Sequence, residues 1–133
     1  MAELTPGVAS QLLLMAILAY GYLRYRAGDL RGHGYSLVAA TVIHYVSVFT
    51  LMIPVLVDDY PSLAADPLDA FSLVNVAHAA TGGVAMVLAA YISIRWIVNG
   101  LNPRGCEGKT MMRVTLLNWS VSLLIGLFIH LTD

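Results

Sequence analysis

With one cysteine, Cys106, the chain cannot form an internal disulfide, so its fold does not depend on one. Charge is almost as scarce, at 11% of 133 residues, where a soluble domain carries about a quarter. The seven basic residues form no face of the kind phosphate recognition requires, so nucleic acid is excluded as a partner. None of the eight acids falls inside a long apolar run, which argues against a carboxylate proton relay and a paired-carboxylate hydrolase. Arg31-Gly32-His33-Gly34 lacks the lysine and the strand-to-helix context of a phosphate loop, and Ser120 and Ser122 lack a base to activate them.

What the chain has is hydrophobicity: 59% of residues are apolar and the mean hydropathy is +0.77. Four apolar segments, at about 8–25, 35–57, 71–98 and 111–131, are each long enough to cross about 30 Å of hydrocarbon. The reading is an all-α, integral membrane four-helix bundle with up-down topology, a single transmembrane domain over 1–133. Pro54 lies in the last turns of the second segment and is expected to kink or end it. Asp69, or less directly Asp66, is placed to cap the third helix, and Asn99-Gly100 to end it.

Basic side chains surround two connections. Arg24, Arg26 and Arg31 follow the first segment, and Arg95, Arg104, Lys109 and Arg113 follow the third, whereas the middle connection carries Asp58, Asp59, Asp66 and Asp69. This is the positive-inside pattern. It predicts a multi-pass protein of the plasma (inner) membrane, surrounded by membrane lipids, with basic loops cytoplasmic and both termini outside. The first segment has basic residues after it rather than before it, so it reads as a retained helix and not a cleaved signal. Tyr22, Tyr25, Tyr35 and Trp96 are expected at the inner interface as anchors.

Polar residues within the spans should face the bundle interior, because lipid leaves their hydrogen bonds unmade. On the fourth segment Asn118, Ser122, Gly126 and His130 recur every four residues; the third offers Asn75, His78 and Gly82, and the second His44 and Ser47. Counting 1.5 Å per residue, His78 and His130 each stand seventeen positions from a basic boundary residue, Arg95 or Arg113, roughly 25 Å along the helix. They are expected to share a level, with His44 about one turn deeper and His33 apart at the inner mouth. Neutral imidazoles at similar height suit the axial positions of haem iron, or a copper ion if they converge. The candidate ligands are His78, His130 and His44 for haem b, with His33 added for a metal. Asn118, Ser122 and Asn75 are candidate hydrogen-bonding supports, and Gly82, Gly83 and Gly126 let the helices or a cofactor approach. The competing reading is that the stripe serves helix packing alone.

The chain also resembles the small four-helix membrane family that includes the CtaM/YozB-type proteins, associated with maturation of haem-copper terminal oxidases. The resemblance rests on Tyr25-Arg26-Ala27-Gly28 and His33, on His78-Ala79-Ala80-Thr81-Gly82-Gly83, and on Arg113-Val114-Thr115 with Trp119, which occur in the family's order over nearly the whole chain. It implies a factor in oxidase cofactor insertion or assembly, with His33 and His78 at the family's histidine positions. The chain departs where a family histidine is expected near Gly108.

The functional expectation is a haem-linked membrane protein acting in terminal-oxidase assembly or membrane electron transfer in a respiratory chain, without independent catalytic activity. Its expected partner is another membrane protein or a second copy of itself. The alternatives are a non-catalytic structural subunit of a larger respiratory or oxygenase complex, and a small transporter.

Overall fold

The computed structural model describes residues 5–101 and 109–132. The described structure is helical: α1 (Pro6–Arg26), α2 (Leu30–Ser47), a π-helical turn (Val48–Met52), α3 (Ile53–Ala65), α4 (Ala70–Val98) and α5 (Lys109–Thr132). Because α2, the π turn and α3 run on as one helix, Leu30–Ala65, four helices are long and apolar enough to cross a membrane, as in a multi-pass membrane protein. The expectations placed on Glu3, Pro103, Arg104, Gly105, Cys106, Glu107, Gly108 and Asp133 lie outside the described residues.

Local chemistry sets most of the boundaries. Thr5 accepts from the Val8 amide at 3.3 Å, with Pro6 following it, where a missing N–H costs no bond. Gly28, at φ +81°, turns the chain, and Asp29 then caps α2 by accepting from the Gly32 amide at 2.8 Å. The Asp29 carboxyl is held below its ordinary range by that amide and by the Arg24 guanidinium, whose Nε donates to it at 2.8 Å. Asp69 caps α4 by accepting from the Phe71 amide at 3.1 Å. At the other end of α4, Gly100 takes φ +69° and the Leu101 amide reaches back to Trp96 O at 3.0 Å.

The second apolar segment extends further than the sequence reading placed it. It continues past residue 57 to Ala65 and carries Asp58 and Asp59 on α3 instead of in a loop. Pro54 does not break it, because the turn before it widens: the Ile53 amide donates to Val48 O, five residues back. A π turn of this kind absorbs the donor that proline lacks and the room its ring demands. Pro61 lies within α3, which buries no residue.

Paired contacts fix the helix register. Gly21 on α1 faces Ser36 on α2, where an added Cβ would lie 3.0 Å from the serine Cβ. Between α2 and α4, the Trp96 ring lies over Gly34, the Thr41 and Ser93 hydroxyls are 3.2 Å apart, and Tyr45 donates to Met86 O at 3.3 Å. Between α4 and α5, Asn118 donates to Thr81 O at 2.7 Å. α1 meets α5 where Gly7 faces His130 and Gln11 faces Gly126. The core is Leu14, Ala40, Ala85, Ala89, Trp119 and Leu123, in which three alanines leave room for the two leucines and the indole. Trp96, expected at the interface, is instead buried in the α2–α4 seam, since Gly34 leaves room for an indole.

Polarity is arranged for lipid. Gln11, Thr41, Ser93, Thr115 and Ser122 are buried, while Leu13, Val42, Val46, Val87, Leu117 and Phe128 are exposed. In hydrocarbon, polar groups gain by turning inward to bond across helices, and apolar ones lose nothing by facing out.

Candidate functional site

The α4–α5 seam is laced by side chains that bond to the opposite backbone. His78 Nδ1 donates to Ser122 O at 2.9 Å, Ser122 Oγ donates to His78 O at 3.4 Å, and Asn118 Nδ2 donates to Thr81 O at 2.7 Å. A neutral imidazole whose Nδ1 carries the donated proton has its lone pair on Nε2, the atom that binds iron, copper or zinc. His78 is half-buried, so this nitrogen is held in orientation without being sealed in. Gly126 makes the arrangement possible: a Cβ there would lie 2.6 Å from His78 Cε1 and 2.7 Å from Gln11 Nε2. The Gln11 side chain, 1% exposed, shares this space, and its Oε1 has no partner.

The histidines descend as a staircase. His78 stands level with Ser122 and Gly126, so His130 lies four to eight residues further along α5, roughly 6 to 12 Å beyond. The expected common level fails because Arg95 and Arg113 are not themselves level: the α4–α5 pairs place Arg113 one to two turns short of Arg95 along α4. His130 is exposed, with its ring over Gly7 on α1. His44 lies deeper, 3% exposed, with its ring 5.2 Å from that of Trp119 and its Nδ1 without a partner. His78 is within electrostatic reach of both. Among the described residues no three His, Cys, Asp or Glu side chains come together to hold a metal ion.

The other candidates divide by contact. Ser122 and Asn118 join α5 to the α4 backbone, and Asn75 donates to Phe71 O of its own helix at 2.9 Å. A Cβ at Gly82 would lie 3.2 Å from Ser122 Oγ, whereas at Gly83 it would meet nothing within 4 Å. Gln11, the polar residue of the first span, is expected on the inner face and is buried there, whereas Gly7 had no assigned role. They had a signal: Gly7, Gln11, Leu14, Leu18 and Gly21 recur at spacings of four and three, one face of α1.

At the other end of the bundle, His33 Nδ1 donates to Gly21 O at 2.9 Å, the same bond between different helices. Its ring is tilted against Tyr25 at 5.5 Å, and its Nε2 is buried without a partner. Beside it is a cavity of about 310 Å³ with apolar walls from Ile17, Leu18, Leu37, Ile92, Met112 and Leu116; Arg26, Lys109 and Arg113 also line it.

No family model matches the chain, and no curated protein or solved structure matches it either.

Proposed function

We propose that this chain is an up-down membrane bundle that handles haem b during maturation of a terminal oxidase, taking the iron on His78 Nε2 and releasing it to a partner membrane protein. The observation that carries the reading is the His78 Nδ1–H bond to Ser122 O, which commits the ring to one tautomer and leaves the ligating nitrogen bare. Gly126 supports it by giving the imidazole the room it needs to reach Ser122 O. The residues His78–Gly83, His33 and Tyr25–Gly28, through which the chain resembles the oxidase-maturation family, supply the choice of partner process.

Handling is favoured over permanent electron transfer by the staircase. With His130 one to two turns beyond His78 and His44 buried against Trp119, no second histidine stands level with the first to clamp the opposite face of the iron. One half-buried histidine would suit a haem that is passed on, and His78 would hold it; when bound, haem would supply redox-active iron for the recipient. The reversed register of every packed pair and the two basic connections support termini outside and basic loops on the cytoplasmic side of the plasma membrane.

The test is a titration of purified protein in mild detergent with haem, followed by absorption in the oxidised and reduced states and a haem-to-protein ratio. Saturation at one haem per chain with a histidine-ligated spectrum supports the proposal. A spectrum identical to haem in detergent alone refutes it.

A further inference from the structure

We propose that the cavity at the basic end of the bundle binds one acidic phospholipid, with its phosphate among Arg26, Lys109 and Arg113 and part of one acyl chain between α1 and α5. The inference is independent of the haem reading and concerns the opposite end of the molecule. α1 and α5 meet where Gly7 faces His130 and Gln11 faces Gly126. Toward the basic end a cavity of about 310 Å³ lies between them, with apolar walls from Ile17 and Leu18 of α1, Leu37 of α2, Ile92 of α4 and Leu116 of α5. Its charge is of one sign: Arg26, Lys109 and Arg113 line it, and among the described residues no Asp or Glu does. All three cations are exposed, and among the described residues none of them meets a carboxylate, whereas Arg24 is taken up by Asp29. Arg26 donates to the Tyr22 hydroxyl at 3.3 Å, a neutral partner that leaves its charge uncompensated.

Cations beside an apolar hollow call for an amphipathic anion. Hydrocarbon walls gain from an acyl chain and offer nothing to a bare anion, so free phosphate leaves them unfilled. The cations stand at the ends of helices long and apolar enough to cross a membrane, the depth of lipid phosphates, and basic pockets between such helices hold acidic headgroups. A phosphatidylcholine brings a quaternary ammonium among three cations with no acid to receive it, whereas a phosphatidylglycerol brings only its phosphate. At about 310 Å³ the cavity sits at the small end of the roughly 300–1,000 Å³ range of ligand pockets, room for a segment of one chain, so the second chain stays in the bilayer. A lipid seated in this way bridges α1 and α5 at the end where their side chains leave a gap, and so stabilises the bundle.

The experiment titrates the purified full-length protein, in a neutral detergent, with dioleoyl phosphatidylglycerol or dioleoyl phosphatidylcholine, read by native mass spectrometry and thermal unfolding. Saturation at one phosphatidylglycerol per chain is expected, bound roughly tenfold or more tightly than phosphatidylcholine and accompanied by a higher Tm. Lys109→Ala and Arg113→Ala should each weaken it roughly fivefold. Arg31→Ala removes an exposed cation that does not line the cavity and should leave the affinity unchanged. Leu116→Trp, or the milder Leu18→Phe where the first loses helicity, fills the cavity with every charge in place and should weaken binding as well. Equal affinity for the two lipids, or addition of lipids without saturation, overturns the proposal. So does a loss in Arg31→Ala as large as in Arg113→Ala, which makes the attraction a diffuse basic surface. Displacement by glycerol phosphate at matched concentration, or full affinity in both filled variants, also overturns it, because the cations then hold an anion with no chain in the cavity.

Discussion

His78 on α4 and Ser122 on α5 are joined by the imidazole Nδ1–H and the serine carbonyl at 2.9 Å, and the ring so held occupies space that any side chain at position 126 would need. Gly126→Ala should therefore move the imidazole or part the helices, at the overpacking cost of about 1 to 3 kcal/mol. A lower Tm in detergent and weaker haem binding are expected together. Gly83→Ala, where nothing lies within 4 Å, should leave both unchanged.

Asn118 separates packing from ligation. Its amide donates to Thr81 O one turn away from the His78 bond, and interhelical bonds of this kind contribute about 0.6 to 2 kcal/mol within a membrane. Asn118→Ala should lower the Tm by that modest amount while the haem-to-protein ratio holds. A ratio that collapses with the Tm unchanged would make Asn118 part of the binding site instead.

Asp29 gives the fold an acid-sensitive joint. Its carboxyl caps α2 and takes the Arg24 guanidinium, and the Gly32 amide, ahead of that guanidinium, holds it below its ordinary range. The cap therefore contributes in full above the unfolded carboxyl's value of about 4 and is lost as the pH falls through the lower folded value. Thermal unfolding followed from pH 6 down to pH 3 should show a steeper loss below about pH 4 in the wild type than in Asp29→Asn. Parallel curves would remove the cap from the account.

Cys106, the chain's one cysteine, is a natural reporter of orientation. A membrane-impermeant maleimide should label it in inverted vesicles and not in intact spheroplasts. The opposite pattern would reverse the orientation drawn from the basic connections.

The four spans were legible because hydrophobic length and the sidedness of charge are properties of composition, readable without contacts. The stripe Asn118–Ser122–Gly126 was legible through its four-residue spacing, which brings the Asn118 and Ser122 side chains onto the α4 backbone and Gly126 against the His78 ring. Relative height was not. It depends on the register between helices, set by Gly34 under Trp96 and Gly126 under His78, and no count from Arg95 or Arg113 contains that information. The continuation through Pro54 was hidden for a similar reason: proline marks a lost donor, and whether the chain breaks or widens into a π turn depends on how the preceding turn is packed. The basic-end cavity depends on gaps between side chains of α1, α2, α4 and α5, which leave no trace in spacing.

The central claim is that His78 binds haem iron through the nitrogen its bond to Ser122 leaves free. Haem titration of wild type, His78→Ala, His44→Ala and His130→Ala, with reduced and oxidised spectra and added imidazole, tests it most directly. The account predicts that His78→Ala alone loses the histidine-ligated spectrum and regains it with imidazole. A His78→Ala protein that keeps the wild-type spectrum and stoichiometry would contradict it.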